Sequence, residues 1–162
     1  MVQLSIRPAT KPDAPAILAL AERLPAFGPT TRTAPEIADR ERAALADALA
    51  RPSEGCRVLV AEHPSLGIAG VMLLETRRDY FTGHAHGHVS ILAVAREAEG
   101  QGVGRALLKS AEEWGRACGF TKLTLAVFVD NRRAKGFYDR QGWRPELETW
   151  FKKLAIDEGA AG

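Results

Sequence analysis

The sequence predicts an α/β (α+β) fold with its elements in the order β-α-α-β-β-β-α-β-α-β. Three observations carry that prediction. The apolar residues change period along the chain, from helical spacing before residue 50 to strand-like runs after it. A strand, a glycine-rich turn and an amphipathic helix follow one another from His88 to Phe120. Thr121 to Val129, TKLTLAVFV, is apolar on both faces, the mark of a central strand.

Taken in order, Gln3 to Arg7 alternates as a first strand, with Leu4 and Ile6 on one face. The following helix has two candidate starts. Thr10 caps it with Asp13 as the reciprocal acid, or Asp13 caps it with Pro15 in the first turn. Residues 25–35, PAFGPTTRTAP, form a loop, and Pro35 to Ala50 is a second helix. Cys56 to His63 and Gly67 to Arg77 are strands joined by the short connection PSLG, and His88 to Val94 is a third. The helix after the glycine turn sets Val103, Leu107, Ala111, Trp114 and Cys118 against Lys109, Glu112, Glu113 and Arg116. Gly119 is placed to end it in a left-handed conformation, with Phe120 folding back as its apolar partner. Asp130-Asn131 supplies the next helix cap, Gly142 stops that helix, and WRPELETWFKKLA closes the chain as a strand or pair of strands.

Composition narrows the class. At 162 residues the chain amounts to one domain, 1–162, with a disordered tail expected from about 156 to 162. No apolar run approaches the ~18–20 residues of a membrane span, and MVQLSIRPATKPD has no signal-peptide core. A cytoplasmic location is expected, and with it Cys56 and Cys118 as buried thiols rather than a disulfide. A net charge of +2 gives no reason to expect nucleic acid.

Gly100, Gly102 and Gly104 lie where a strand gives way to a helix. Free backbone N–H groups and the positive end of a helix dipole collect there, so a phosphorylated ligand is expected. A P-loop is excluded because Arg105 and Ala106 follow Gly104 in place of Lys and a hydroxyl residue. A dinucleotide fingerprint is excluded because Arg105 or Leu107 falls at the third small position. LAVAREAEGQGVGRALL instead resembles the acyl-CoA-binding motif of the GNAT (Gcn5-related N-acetyltransferase) superfamily, [QR]-x-x-G-x-[GA], matched at Gly102 and Gly104. Glu99 departs from it, standing where that family has Gln or Arg. A second block, VFVDNRRAKGFYDRQGW, resembles the family's N-x-x-A-x-x-[FL]-Y-x-x-x-G-[FW] segment at Asn131, Ala134, Phe137, Tyr138, Gly142 and Trp143.

The resemblance implies the GNAT fold: one mixed, mostly antiparallel central sheet flanked by about four helices. It also implies transfer of an acetyl group from acetyl-CoA, or another short acyl-CoA, to a primary amine of a small molecule or peptide. The expected cofactor contacts are Leu92, Ala93, Val94, Glu99, Gly100, Gln101, Gly102, Val103, Gly104, Arg105, Asn131, Ala134, Phe137 and Tyr138. The pyrophosphate would rest on the amides of Gln101 to Arg105, and a bulge near Leu92 to Val94 would free an N–H for the thioester carbonyl. Asn131 reads equally as a cofactor contact and as a plain N-cap. Arg132, Arg133 and Lys135 are expected to face the phosphates. No metal is expected, since HAHGH, with His84, His86 and His88, reads as a polar loop entering a strand; His63 reads as solvated.

Tyr138 is the candidate proton donor to the departing thiolate, and His88 the candidate base, in the place of a Glu used by some relatives. An ordinary imidazole, pKa near 6.5, accepts a proton at pH 7. Deprotonating a lysine-like amine at pH 7 costs ~4.6 kcal/mol, against ~1.4 kcal/mol for an α-amino group, so a His base favours a low-pKa acceptor. Phe27, Tyr80 and Phe81 are expected to line the acceptor site, on position alone. The rival reading is an acyl-CoA-binding regulatory module without transfer. Many relatives dimerise, so a homodimer stays open.

Overall fold

The structure, a computed structural model, describes residues 2–24 and 31–155. Five strands form one sheet in the order β1 (Ser5–Pro8), β2 (Cys56–His63), β3 (Gly67–Arg78), β4 (Ala85–Val94), β5 (Leu123–Leu125). The first four are antiparallel neighbours and β4–β5 is parallel, so the sheet is mixed and mostly antiparallel as expected. Four helices accompany it: α1 (Ala14–Leu20), α2 (Ala34–Ala50), α3 (Val103–Ala117) and α4 (Arg132–Arg140).

Alternation along the strands divides the core between two faces of the sheet. On one, Met72, Leu74 and Val89 meet Val103, Leu107, Leu108 and Ala111 of α3, with Phe137 and Tyr138 of α4 at the margin. On the other, Val60, Val71, Leu73, Ile91 and Ala93 meet Ile17 and Leu20 of α1 and Leu45 of α2. Gly87 marks the tightest approach. A Cβ there would lie 2.5 Å from Leu123 and 2.6 Å from Trp114, so only glycine lets α3 and β5 close on β4.

Both candidate starts for the first helix are used. Thr10 opens a single 3₁₀ turn, Lys11–Asp13, donating from its N–H and hydroxyl to the Asp13 carboxylate at 2.7 and 2.9 Å. α1 then begins at Ala14. The same carboxylate receives both guanidinium nitrogens of Arg7, at 2.7 and 2.9 Å, which ties β1 to the helix. The second helix starts at Ala34, behind a Thr33–Glu36 capping box. Gly119 and Gly142 take left-handed φ of 75° and 85° and end α3 and α4. Phe120 folds back onto Trp114 with ring centroids 5.4 Å apart.

Three expectations fail. Cys118 is exposed at the end of α3 and Cys56 half-buried, so they are not both buried thiols; both are free. The predicted strand Thr121–Val129 is only Leu123–Leu125 long and lies at the sheet edge. The closing strand over residues 143–155 is absent, and residues 144–155 are exposed. Both strand failures have one cause: an apolar run becomes a strand only beside a neighbour, and β5 has one on a single side. The expected tail, 156–162, lies outside the described residues.

The Arg7 pair holds the Asp13 carboxyl well below the usual carboxylate range. A depressed pKa gives stability that is present above the unfolded value of ~3.9 and lost as pH falls below it. Replacing Asp13 by Asn is expected to cost on the order of 2 kcal/mol at pH 7. It should also flatten the loss of stability below about pH 4; urea unfolding across that range checks both.

Candidate active site

At its C-terminal end β4 runs through a short 3₁₀ turn, Arg96–Ala98, into the glycine turn and α3. Gly100 and Gly102 have φ of 75° and 83°, a left-handed region that other residues rarely adopt. Those two kinks turn the backbone amides outward. Among the described residues, the N–H groups of Gly100, Gly102, Val103, Gly104 and Arg105 have no protein acceptor. The N–H of Gln101 is different, since it donates to the Ala98 carbonyl at 3.2 Å. Gly104 serves packing: a Cβ there would sit 3.1 Å from the ring of Phe137, so its absence lets α4 lie against α3.

Two ties hold the turn that the residues did not announce. His63, expected in solvent, is only 9% exposed. Its Nδ1 accepts from the Ser65 N–H at 3.1 Å, so Nε2 carries the proton and donates to Gln101 Oε1 at 2.9 Å. Gln101 in turn donates to the Glu97 carbonyl at 2.8 Å, which pins the turn to the β2–β3 hairpin. Glu99 is the other tie. It pairs with Arg23, from the turn following α1, and with Arg133 of α4 at 2.7 Å. These partners hold its carboxyl below the ordinary range. The acid at the cradle's first position therefore carries two guanidinium groups to the turn instead of opposing an anion there. Asn131 commits its Oδ1 to the Ala134 N–H at 3.0 Å, as the cap of α4.

Above the turn, β4 is open toward β5. Their parallel pairing ends at Val89–Leu125, although β4 continues to Val94. Leu92, Ala93 and Val94 stay in regular register with Met72, Val71 and Gly70 of β3, so no bulge occurs there. The bulge lies lower. Leu73 faces Ile91 and Leu74 faces Val89, which leaves Ser90 as the extra residue. A bulge there separates the β5-paired segment, Gly87 to Val89, from the stretch of β4 that has left β5.

A polar cluster surrounds that bulge. Glu75 of β3 accepts from the Ser90 hydroxyl and from Arg77 at 3.2 Å, and pairs across the strands with His88. His88 is 8% exposed, and its Nδ1 lies 2.7 Å from Thr124 Oγ1 on β5. Burial, with Arg77 and His86 adding and Glu75 opposing, pushes His88 down to about 4. The ordinary imidazole expected of the base is therefore not found. His88 is a neutral hydrogen-bonding group at pH 7. Tyr138 packs between Phe137 and Trp143, with ring centroids 5.2 and 6.1 Å away, and burial pushes its phenol up to about 12.

Tyr80 and Phe81 do not join this cluster. They are 93% and 75% exposed at the tip of the β3–β4 hairpin. Phe27 lies outside the described residues. Of the three histidines of HAHGH, His88 makes the hydrogen bond to Thr124 and His86 pairs across the strands with Arg77; among the described residues no group of three or more His, Cys, Asp or Glu is placed to hold a metal.

Residues 19–143 match the profile of the acetyltransferase (GNAT) family. No curated protein sequence matches the chain. Among solved structures, a putative acetyltransferase from Pyrococcus furiosus superposes with a TM-score of 0.75 at 22% identity, over 94% of this chain and 100% of that one. An apo aminoglycoside 6′-N-acetyltransferase from Acinetobacter haemolyticus gives 0.72 at 17%, over 94% and 99%. An aminoglycoside N-acetyltransferase in complex with CoA gives 0.73 at 15%, over 96% and 97%. At these identities the likeness is one of fold.

The buried imidazole has a measurable signature. Its NMR resonances should stay at the neutral position from pH 8 to about 5 and move only near 4. Unfolded, the same group binds its proton near ~6.5, so it makes stability fall as pH drops from about 6.5 toward 4. His88→Gln should remove that slope, which unfolding at stepped pH would measure.

Proposed function

The chain belongs to the acetyltransferase (GNAT) family, and from that membership we propose that it transfers an acyl group from acyl-CoA, acetyl as the expected case, to an amine of a small molecule or peptide. One observation carries this reading. The turn presents five unclaimed N–H groups at the head of α3, next to a strand edge left open from Ser90 to Ala93, beyond which Arg23 Nε donates to the Val94 carbonyl at 3.3 Å. The amides of Gly100 and Gly102 to Arg105 fit a diphosphate, with Arg23 and Arg133 adding positive charge. The open edge of β4 offers backbone groups to the amide-containing arm of the same molecule, much as an added strand would find them.

Acyl-CoA supplies an activated thioester. The amine nitrogen attacks its carbonyl carbon, the C–S bond breaks, the nitrogen gives up a proton to water, and the sulfur leaves as a thiolate that takes one up. The residues of this chain act at both ends of that exchange. Tyr138, uncharged well beyond neutral pH, presents an O–H toward the leaving sulfur. With its phenol near 12 and a thiol near ~8.5, complete transfer costs ~4.8 kcal/mol, so its role is to stabilise the thiolate by a hydrogen bond while water supplies the proton. At the other end, His88, Ser90 and Glu75 form a polar wall for the entering amine. A neutral His88 can accept a hydrogen bond from the amine but holds a proton poorly at pH 7. The amine must therefore reach the site already deprotonated, and its own pKa sets the acidic limb of the rate.

Incubation with acetyl-CoA and a panel of amines, followed by free-thiol release, tests the reading. Amine-dependent release is expected. Tyr138→Phe should lower kcat by about 10- to 100-fold with little change in KM, the range of a lost hydrogen bond to a developing thiolate. His88→Gln should leave the acidic limb of the pH profile in place. CoA binding without release for any amine would favour a regulatory module.

A further inference from the structure

Three residues on the inner side of the glycine turn hold it to the sheet. Ala98 is fully buried in the core that also contains Ala61 of β2 and Ala69 of β3. Val103 is 1% exposed and lies over Gly70 of β3, where a Cβ would stand 2.6 Å from it. Between them is Gln101, flanked by Gly100 and Gly102, both with left-handed φ. Ala98 and Val103 are held by apolar packing, and Gln101 by polar contacts. Its N–H donates to the Ala98 carbonyl at 3.2 Å and its side-chain amide to the Glu97 carbonyl at 2.8 Å. Its Oε1 accepts from His63 Nε2 at 2.9 Å. Of these three bonds, only the last reaches the sheet.

His63 is a rigid donor. It ends β2, an inner strand, and is almost wholly buried. Its ring is kept from turning over, because Nδ1 accepts from the Ser65 N–H at 3.1 Å within its own hairpin. The proton therefore stays on Nε2 and faces Gln101.

Glycine passes between positive and negative φ at little cost, so two glycines around one residue act as a pair of swivels. The N–H groups of Gly102 and Val103 point outward together only while residue 101 is kept in place. Without the His63 donor, the Gln101 oxygen loses its partner in a half-buried position and the side chain turns to water. The two amides then leave their common orientation, and a ligand must restore it in order to bind.

We propose that His63 is a positioning residue for the phosphate-binding amides, acting through Gln101. This rests on the acyl-CoA reading above and narrows it: His63 governs the hold on the donor's diphosphate. Among the described residues, neither Tyr138 nor the cluster at His88 and Ser90 shares a hydrogen bond with His63 or Gln101. The effect therefore belongs to donor affinity and not to the transfer step.

Calorimetry with CoA tests this without a known acceptor. His63→Phe keeps a ring and removes the N–H, whereas His63→Gln keeps a side-chain N–H of similar reach. The dissociation constant for CoA is expected to rise about tenfold in His63→Phe, the worth of one hydrogen bond, and to recover in His63→Gln. In a Gln101→Ala background, His63→Phe should add nothing, since the residue it acts through is gone. Pantetheine, which has the arm but no diphosphate, is titrated by NMR and should bind His63→Phe as it binds the wild type. The Gly102 and Val103 amide resonances should move or broaden in His63→Phe and return in His63→Gln. If His63→Phe does not fold, Gln101→Ala releases the same tie from the turn itself, and the same loss of CoA affinity is expected. Equal CoA affinity in the wild type, His63→Phe and Gln101→Ala overturns the inference and leaves the acyl-CoA reading standing. So does a His63→Phe effect that persists without Gln101, or an equal loss for pantetheine. A wild-type protein that binds no CoA overturns both.

Discussion

β4 and β5 run side by side for three residues and then part, and the rest of the functional end of the molecule follows from that. Parallel neighbours cannot be joined by a tight turn, so the chain must cross over, and α3 is the crossover. A crossover helix has to begin at the C-terminal end of the first strand. Its unpaired amides and dipole therefore gather at the top of β4, beside the edge that the parting strands leave open. The glycine turn, the open edge and the sheet's unfinished flank at β5 are three consequences of one short parallel pairing. Gly87 makes it possible, because any side chain there would push α3 and β5 away.

Charges are arranged to suit that geometry. Glu99 would oppose an anion if it stood alone, but between Arg23 and Arg133 it acts as a bracket for two cations from separate elements. The cluster at Ser90 works in the other direction. There a buried imidazole loses its charge, while Glu75 keeps its own through the Ser90 hydroxyl and Arg77. One end of β4 is thus positive and built from backbone amides and arginines. The other is a polar wall with a neutral histidine. A phosphorylated donor and a neutral nucleophile are matched to those two ends on the reading proposed above.

Local chemistry was legible in the residues themselves. The caps at Thr10 and Asn131, the stops at Gly119 and Gly142, and the apolar face of α3 depend on neighbours within a few positions, and those the chain order shows directly. The glycine turn could be recognised for the same reason. Its amide pattern depends on the φ angles of two glycines and on the helix that follows. Long-range partners were not legible. That Glu99 meets Arg23, that His63 fixes Gln101, and that the bulge falls at Ser90 and not near Leu92 are contacts between residues tens of positions apart.

The sequence by itself determined the order of elements as far as α4, the apolar face of α3 and the glycine turn that leads into it, because periodicity and backbone conformation are local properties. Only the tertiary structure decided what burial does to His88, how the acid at Glu99 is neutralised, and where β5 ends. Those quantities depend on which groups stand next to one another in space, and pairing distance is what a linear pattern does not carry. The segment after Gly142 shows the limit most plainly. Its residues have the makings of a strand, but a strand exists only where another edge receives it.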